Sequence, residues 1–324
     1  MANFIKNVAF YLAVTVLLDI LQMLFFGLVL RKNKCYIKPS RVDFRLFGEI
    51  IKYCAPMAIF IIVNSINRDL DKYLVSMMTD TETLAMYANA SKQLPFDIIM
   101  SSFATVLFPH IIRLFAENNK REVTKLCRHY FEVAYVCTGM LCFAALSAAP
   151  QLMKLLYSDK YTDGLSIFCV YIIVDFLRFA NITTILSSAG KTKWLMALGV
   201  GSIVTNAFLN FHLYDVMGLV GPAVSTLIVT ALAGIIMLYL DVRVLKARIF
   251  ELFNFKYLLL FVLETAVLTV VFSNLGRFLD AKDVHYFVNL VIVAGSYVVI
   301  MALLNFKKLI SDMRKINAES RVKS

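Results

Sequence analysis

Apolar residues run along this chain in stretches too long for a soluble core, parted by short charged segments. About nine stretches reach the roughly 20 residues that a helix needs to cross a hydrocarbon layer ~30 Å thick. They are approximately Val8–Leu30, Tyr53–Met78, Leu84–Phe115, Tyr130–Ala149, Ser166–Ser187, Trp194–Leu213, Val216–Leu240, Tyr257–Leu275 and Tyr286–Phe306. The second and third exceed the minimum, so they tilt or project beyond the hydrocarbon. Pro95 and Pro109 fall inside the third, which predicts a kink. The pattern predicts an all-α, polytopic transmembrane bundle.

Composition agrees. The chain is 60% hydrophobic and only 17% charged, against roughly 45–50% and about 25% in soluble domains. Its net charge of +11 raises nucleic acid as a partner, but the cations lie between apolar runs, without aromatic interleaving. That is the distribution of cytosolic loops, so no nucleic acid is expected. If the spans alternate, Arg31–Lys52, Arg113–Arg128, Lys191 with Lys193, Arg243–Lys256 and the tail from Lys307 share one side. The opposite side holds Lys6, Lys154, Lys160, Arg277 and Lys282. The asymmetry places the C-terminus in the cytosol and Met1 outside, in an inner (cytoplasmic) membrane. The loops are too short for a catalytic domain. Cys35, Cys54, Cys127, Cys137, Cys142 and Cys169 lack metal-ligand spacing and read as free thiols. The histidines are scattered at span ends, and no metal is expected.

Ionisable groups inside the spans carry the chemistry. Each costs about 2.5–3.5 kcal/mol at mid-bilayer on insertion scales, so each needs a polar cavity or a partner. In the second span Asn64, Arg68, Asp71 and Lys72 sit three or four apart, on one helical face. Arg68 lies ~22 Å from the inner boundary and Lys92, entering from outside, about 12 Å deep, so the two occur at similar depth. In the fifth span Asp175, Arg178 and Asn181 form a second stripe at intervals of three. Asp71 with Arg68 or Lys72, and Asp175 with Arg178, can be structural pairs; equally, the cations can line a hydrated cavity for an anionic substrate. Lys92 favours the cavity, having no acid at i±3 or i±4. Asp19 and Glu264 read as local hydrogen-bonded helix contacts.

Several stretches in order carry a resemblance. Asn67-Arg68-Asp69-Leu70-Asp71-Lys72 ends one span and Met86-Tyr87-Ala88-Asn89-Ala90 opens the next. Pro109 precedes a charged loop, and Leu155-Leu156-Tyr157-Ser158-Asp159-Lys160-Tyr161 forms an external turn. Leu186–Lys193 follows, then Asn206-Ala207-Phe208-Leu209-Asn210 and Gly218-Leu219-Val220-Gly221-Pro222-Ala223. In this order they resemble the C-terminal part of the polysaccharide-transporter and O-antigen flippase family. That family belongs to the multidrug/oligosaccharidyl-lipid/polysaccharide (MOP) exporter superfamily, whose MATE-like members have two six-helix lobes.

The resemblance divides the chain into 1–52, a late span of the first lobe with its basic loop; 53–240, a six-span second lobe; and 241–324, two C-terminal spans with a basic tail. It reads as a shortened member lacking earlier spans. It implies no enzyme, but a flippase carrying an undecaprenyl-diphosphate-linked oligosaccharide outward for O-antigen, capsule or exopolysaccharide synthesis, beside other polysaccharide-assembly proteins. Arg68, Lys92 and Arg178 then contact phosphate or sugar, with Lys72 at the mouth. Asp71 and Asp175, supported by Asn64 and Asn181, hold those cations or bind a coupling H⁺ or Na⁺; no other cofactor is implied. The competing readings are a MATE-like small-molecule exporter, a membrane glycan polymerase or ligase, and an inactive remnant.

Overall fold

The computed structural model describes residues 8–33, 44–157, 159–180 and 183–321, and its regular elements are all helical. They are α1 (Val8–Lys32), α2 (Phe44–Met78), α3 (Thr81–Ala90), α4 (Asp97–Ala116), α5 (Lys120–Ser147), α6 (Ala149–Tyr157) and α7 (Leu165–Leu177). Then come α8 (Thr184–Ser188), α9 (Thr192–Met217), α10 (Val220–Leu245), α11 (Ile249–Leu252), α12 (Phe255–Asp280) and α13 (Tyr286–Arg321). Two compact units emerge, Met1–Ile50 and Ile51–Ser324. In the first, α1 is apolar and its described side chains are exposed, Asp19 among them.

Among the described residues, seven helices are long and apolar enough to cross a membrane: α1, α2, α5, α9, α10, α12 and α13. The two remaining expected spans, the third and the fifth, are broken helices. The third stops at Ala90 and resumes at Asp97, so the expected kink is an interruption. Pro56 and Pro109 lie inside unbroken helices, so proline alone does not cause a break. The fifth ends as α7 at Leu177, passes into a short 3-10 turn at Arg178–Ala180, and resumes as α8. The Asp175–Arg178–Asn181 stripe therefore does not continue on one helix.

In the second unit α5 is the axial helix: 72% of its apolar stretch is buried, against 17% for α12 and 22% for α13. Tyr135, Phe168, Phe261, Phe272 and Tyr297 fill the core where α5 meets α7, α12 and α13. The C-terminal pair α12–α13 thus packs onto α5 within this unit. Contact is closest at Gly139, where a Cβ would stand 2.6 Å from Phe261 Cζ. The α9–α10 turn also depends on glycine. Gly218 has φ +60°, and a Cβ on Gly221 would stand 2.1 Å from the Leu213 carbonyl oxygen. Large apolar side chains on the outer faces of α9, α10, α12 and α13 are exposed, Val204, Ile235, Val267 and Leu303 among them. Contiguous exposed apolar surface of this extent suits lipid.

Candidate translocation cavity

Elements of the second unit enclose a cavity of about 420 Å³, lined from α2, α4, α5, α7, α8, α9 and α10. Phe60, Asn64, Asn67 and Arg68 contribute from α2, spaced so that one face of two helical turns looks inward. Arg178 and Asp175 face them from the end of α7. The remaining wall is rich in small polar groups, including Thr138, Thr183, Ser202 and Thr226. The Thr138 and Thr226 hydroxyls are buried without a hydrogen-bond partner among the described residues. A small polar wall of this kind suits a hydrated or polar occupant.

Its charge is uneven. Among the described lining residues, Arg68 and Arg178 against Asp175 gives 2 − 1, one surplus positive charge. The Arg178 guanidinium lies 3.5 Å from the Asp175 carboxylate, with their side chains 25% and 8% exposed. The second Asp175 oxygen accepts a hydrogen bond from the Leu94 backbone N–H at 3.0 Å. Leu94 lies in the interruption between α3 and α4, ahead of Pro95, which has no N–H to give. One carboxylate thus satisfies an orphaned amide of one broken helix while ending the intact part of another. Irregular backbone at membrane depth persists only when its polar groups are met in this way. Arg68 makes no ion pair among the described residues.

The structure therefore brings Asn64, Arg68, Asp175 and Arg178 together and leaves Asp71, Lys72 and Lys92 outside. Asp71 is on the same face of α2 but almost a turn beyond Arg68, where α3 covers it. It is fully buried and accepts hydrogen bonds from the Tyr87 hydroxyl at 2.9 Å and from the Lys72 N–H at 3.0 Å. Lys72 pairs with Asp69 at 2.7 Å, three residues back, and not with Asp71. Lys92 is exposed in the interrupted segment and does not line the cavity. It lies two residues past the end of α3, where the helical direction is no longer kept. Asn181 lies outside the described residues. Glu264 meets Asn305 Nδ2 at 3.5 Å.

Some buried groups were invisible to sequence reasoning. Ser225 donates to Asn206 Oδ1 at 2.8 Å, and Asn206 Nδ2 donates to Asn67 Oδ1 at 3.0 Å. This chain of neutral groups ties α10, α9 and α2 beside the cavity. Asp241 is fully buried in α10, with neither carboxylate oxygen hydrogen-bonded among the described residues. His129, Glu132 and Asp312 offer ligand atoms within 4.8 Å of one another, a cluster that their sequence spacing hid. Lys308 reaches both carboxylates there, at 3.2 Å from Asp312, and Arg128 lies 3.2 Å from Glu132. Two side-chain cations already balance the two acids, so the cluster fits a charge network better than a metal site.

The match to known proteins follows this architecture. Residues 1–298 fit the family model described as lipid II flippase MurJ. The chain belongs to the MurJ lipid II flippase family. The curated relative described as a probable lipid II flippase MurJ, from Rickettsia prowazekii (strain Madrid E), is 21% identical over 173 residues. That alignment covers 51% of this chain and 34% of the relative, so the chain spans about a third of that protein's length. Two solved structures share the fold: a MOP superfamily transporter from Pyrococcus furiosus and an outward-facing multidrug resistance MATE family transporter of the same superfamily. Each has a TM-score of 0.51 at 15% identity, over 83% of this chain and 67% of the other. The MOP-type expectation drawn from the motifs stands, and the matching branch is MurJ. Members of such families are transporters and not catalysts.

Proposed function

We propose that this chain supplies the second lobe of a flippase that moves a diphosphate-linked lipid precursor across the cytoplasmic membrane. Family membership favours lipid II over an O-antigen oligosaccharide as the cargo. The observation that carries the reading is Arg68, which lines the cavity together with Arg178 and has no acid to neutralise it among the described residues. A diphosphate leaving water for the membrane interior loses solvation, and fixed cations in a hydrated vestibule offset that loss. Guanidinium groups suit the task because they stay charged and present a planar fork of donors to phosphate oxygens. Asp175 positions Arg178 and the Leu94 backbone, and both its oxygens are already engaged by them. On this reading it serves as a positioning residue. The basic end of the bundle faces the cytosol, as the loop charges require.

The test is binding by the protein in nanodiscs of neutral lipid, titrated with undecaprenyl-diphosphate-linked precursor and with uncharged undecaprenol. Arg68→Gln removes about 1.5 kcal/mol of charge-assisted hydrogen bonding and weakens the precursor roughly tenfold. Undecaprenol binding does not change. Arg68→Gln is the clean variant because that guanidinium makes no ion pair or side-chain hydrogen bond among the described residues. Equal precursor affinity in wild type and the Arg68→Gln, Arg178→Gln double variant, at unchanged thermal stability, disproves the assignment.

A further inference from the structure

A second concavity, away from the cavity's cations, lies where the end of α4, the start of α5, the α8–α9 turn and the end of α10 converge. Its volume is about 610 Å³, and Lys120, Lys191, Arg243 and Lys246 line it without any Asp or Glu. Lys120 is committed to structure, its ammonium donating to the Val244 carbonyl at 2.9 Å. Lys191, Arg243 and Lys246 have no carboxylate partner among the described residues. The Arg243 guanidinium lies 5.8 Å over the Trp194 ring, which holds it at the pocket wall. The Ser188 hydroxyl at the same wall is buried and has no hydrogen-bond partner among the described residues. Solvated loop cations need no such convergence from separate segments.

The pocket does not end there. Trp194 and Arg243 also line an adjoining groove of about 500 Å³ between α9 and α10, whose other walls include Ala197, Gly201, Leu232 and Ile236. From Trp194 to Thr205 the groove follows α9 for ~16 Å, about half the hydrocarbon thickness and so one leaflet. A free anion would fill only the charged end. A lipid with a phosphate head fills both, its head among the cations and its chain in the groove.

We propose that this composite site binds a phosphate-headed lipid from the leaflet at the basic end of the bundle. Two sources share that chemistry: an anionic phospholipid, or the diphosphate-linked cargo held before it enters the cavity. The second rests on the function proposed above, whereas the first stands without it. The groove shares Leu198, Ser202, Val229 and Ala233 with the cavity wall, so either occupant lies beside the translocation path.

Native mass spectrometry of the protein in neutral detergent tests this with four probes: phosphatidylglycerol, undecaprenyl diphosphate, phosphatidylcholine and inorganic phosphate, at fixed ionic strength. Wild type retains one or both anionic lipids over phosphatidylcholine, and whichever is retained names the source. Lys191→Gln with Arg243→Gln lowers that retention roughly 30-fold, two interfacial cations being removed. Arg121→Gln with Arg314→Gln, the same charge change on exposed residues outside the pocket, shifts retention by no more than about twofold. Gly201→Phe fills the groove, since a Cβ there meets open space, and lowers lipid retention in a protein that still folds. Equal loss in the two charge variants, no effect of Gly201→Phe, no preference over phosphatidylcholine, or displacement by phosphate as efficient as by lipid each overturns the proposal.

Discussion

Asp175→Ala should loosen the interrupted third span at a defined amide. The Leu94 N–H donates to Asp175 Oδ2 at 3.0 Å, from a carboxylate only 8% exposed. A hydrogen bond to a charged group contributes about 1.5–3 kcal/mol, and its loss leaves the amide to water or to nothing. Exchange of the Leu94 amide should then quicken by roughly 10- to 150-fold. Asp175→Asn keeps a carbonyl acceptor in place and loses only the charge, so its acceleration should stay under about tenfold. Hydrogen-exchange mass spectrometry on a peptide covering residues 89–96, in nanodiscs, reads both effects. Exchange in Asp175→Ala at the wild-type rate would refute the idea that this carboxylate holds the break. Equal damage from alanine and asparagine would transfer the role from the amide to the Arg178 pair, which both variants lose.

Three further perturbations test the packing around the cavity. Tyr87→Phe removes the hydroxyl that meets fully buried Asp71, at a cost of about 1.5–3 kcal/mol; the thermal midpoint should fall, with partial recovery from Asp71→Asn. An unchanged midpoint sinks that account. Gly139→Ala forces a methyl to 2.6 Å from Phe261 Cζ and should destabilise by about 1–3 kcal/mol, relieved by Phe261→Leu; a silent single variant means α5 and α12 are less tightly packed than described. Lys308→Met leaves Glu132 and Asp312, with side chains 1% and 2% exposed, short of compensation by about 3–5 kcal/mol. Asp312→Asn should restore part of the loss in chemical unfolding, and no rescue would mean Lys308 acts through packing alone.

The membrane class and most spans were legible because apolar run length reports directly on a bilayer's thickness. Seven expected spans survive as continuous helices, but charged ends extend three of them: α2 starts at Phe44 and not Tyr53, α5 at Lys120 and not Tyr130, and α13 runs to Arg321 and not Phe306. Run length could not show the two interruptions, because hydropathy does not distinguish a helix from a broken one. Pro95 hinted at the first, yet Pro56 and Pro109 gave the same hint and sit in unbroken helices. At the second the sequence offers only Asn181-Ile182-Thr183-Thr184, a run of poor helix formers. Helical spacing correctly placed Asn64 with Arg68 and Asp175 with Arg178. It could not show that Lys92 lies just past the end of α3 and outside the cavity lining, or that α3 brings Tyr87 over Asp71. The His129–Glu132–Asp312–Lys308 network joins α5 to α13 across 183 residues, a separation beyond any local pattern.

Broken helices and buried charge are two views of one arrangement here. An intact helix satisfies its own backbone and has no use for a carboxylate at membrane depth. Once the third span is interrupted, Leu94 needs an acceptor; Asp175 supplies it, and Arg178 sits beside the resulting negative charge. That triad alone is close to neutral. The surplus comes from Arg68, which makes no ion pair among the described residues. On the function proposed above, its use lies outside the fold, in an anion that visits, where the two guanidiniums and nearby hydroxyls meet phosphate and leave a sugar little to be read by. On the function proposed above, this lobe grips the part common to all diphosphate-linked carriers. A lipid II head and an O-antigen head should therefore compete for its cavity with similar affinity. A difference beyond about tenfold, more than 1.4 kcal/mol, would show that the cavity reads the glycan itself and that the two arginines are not its principal contacts.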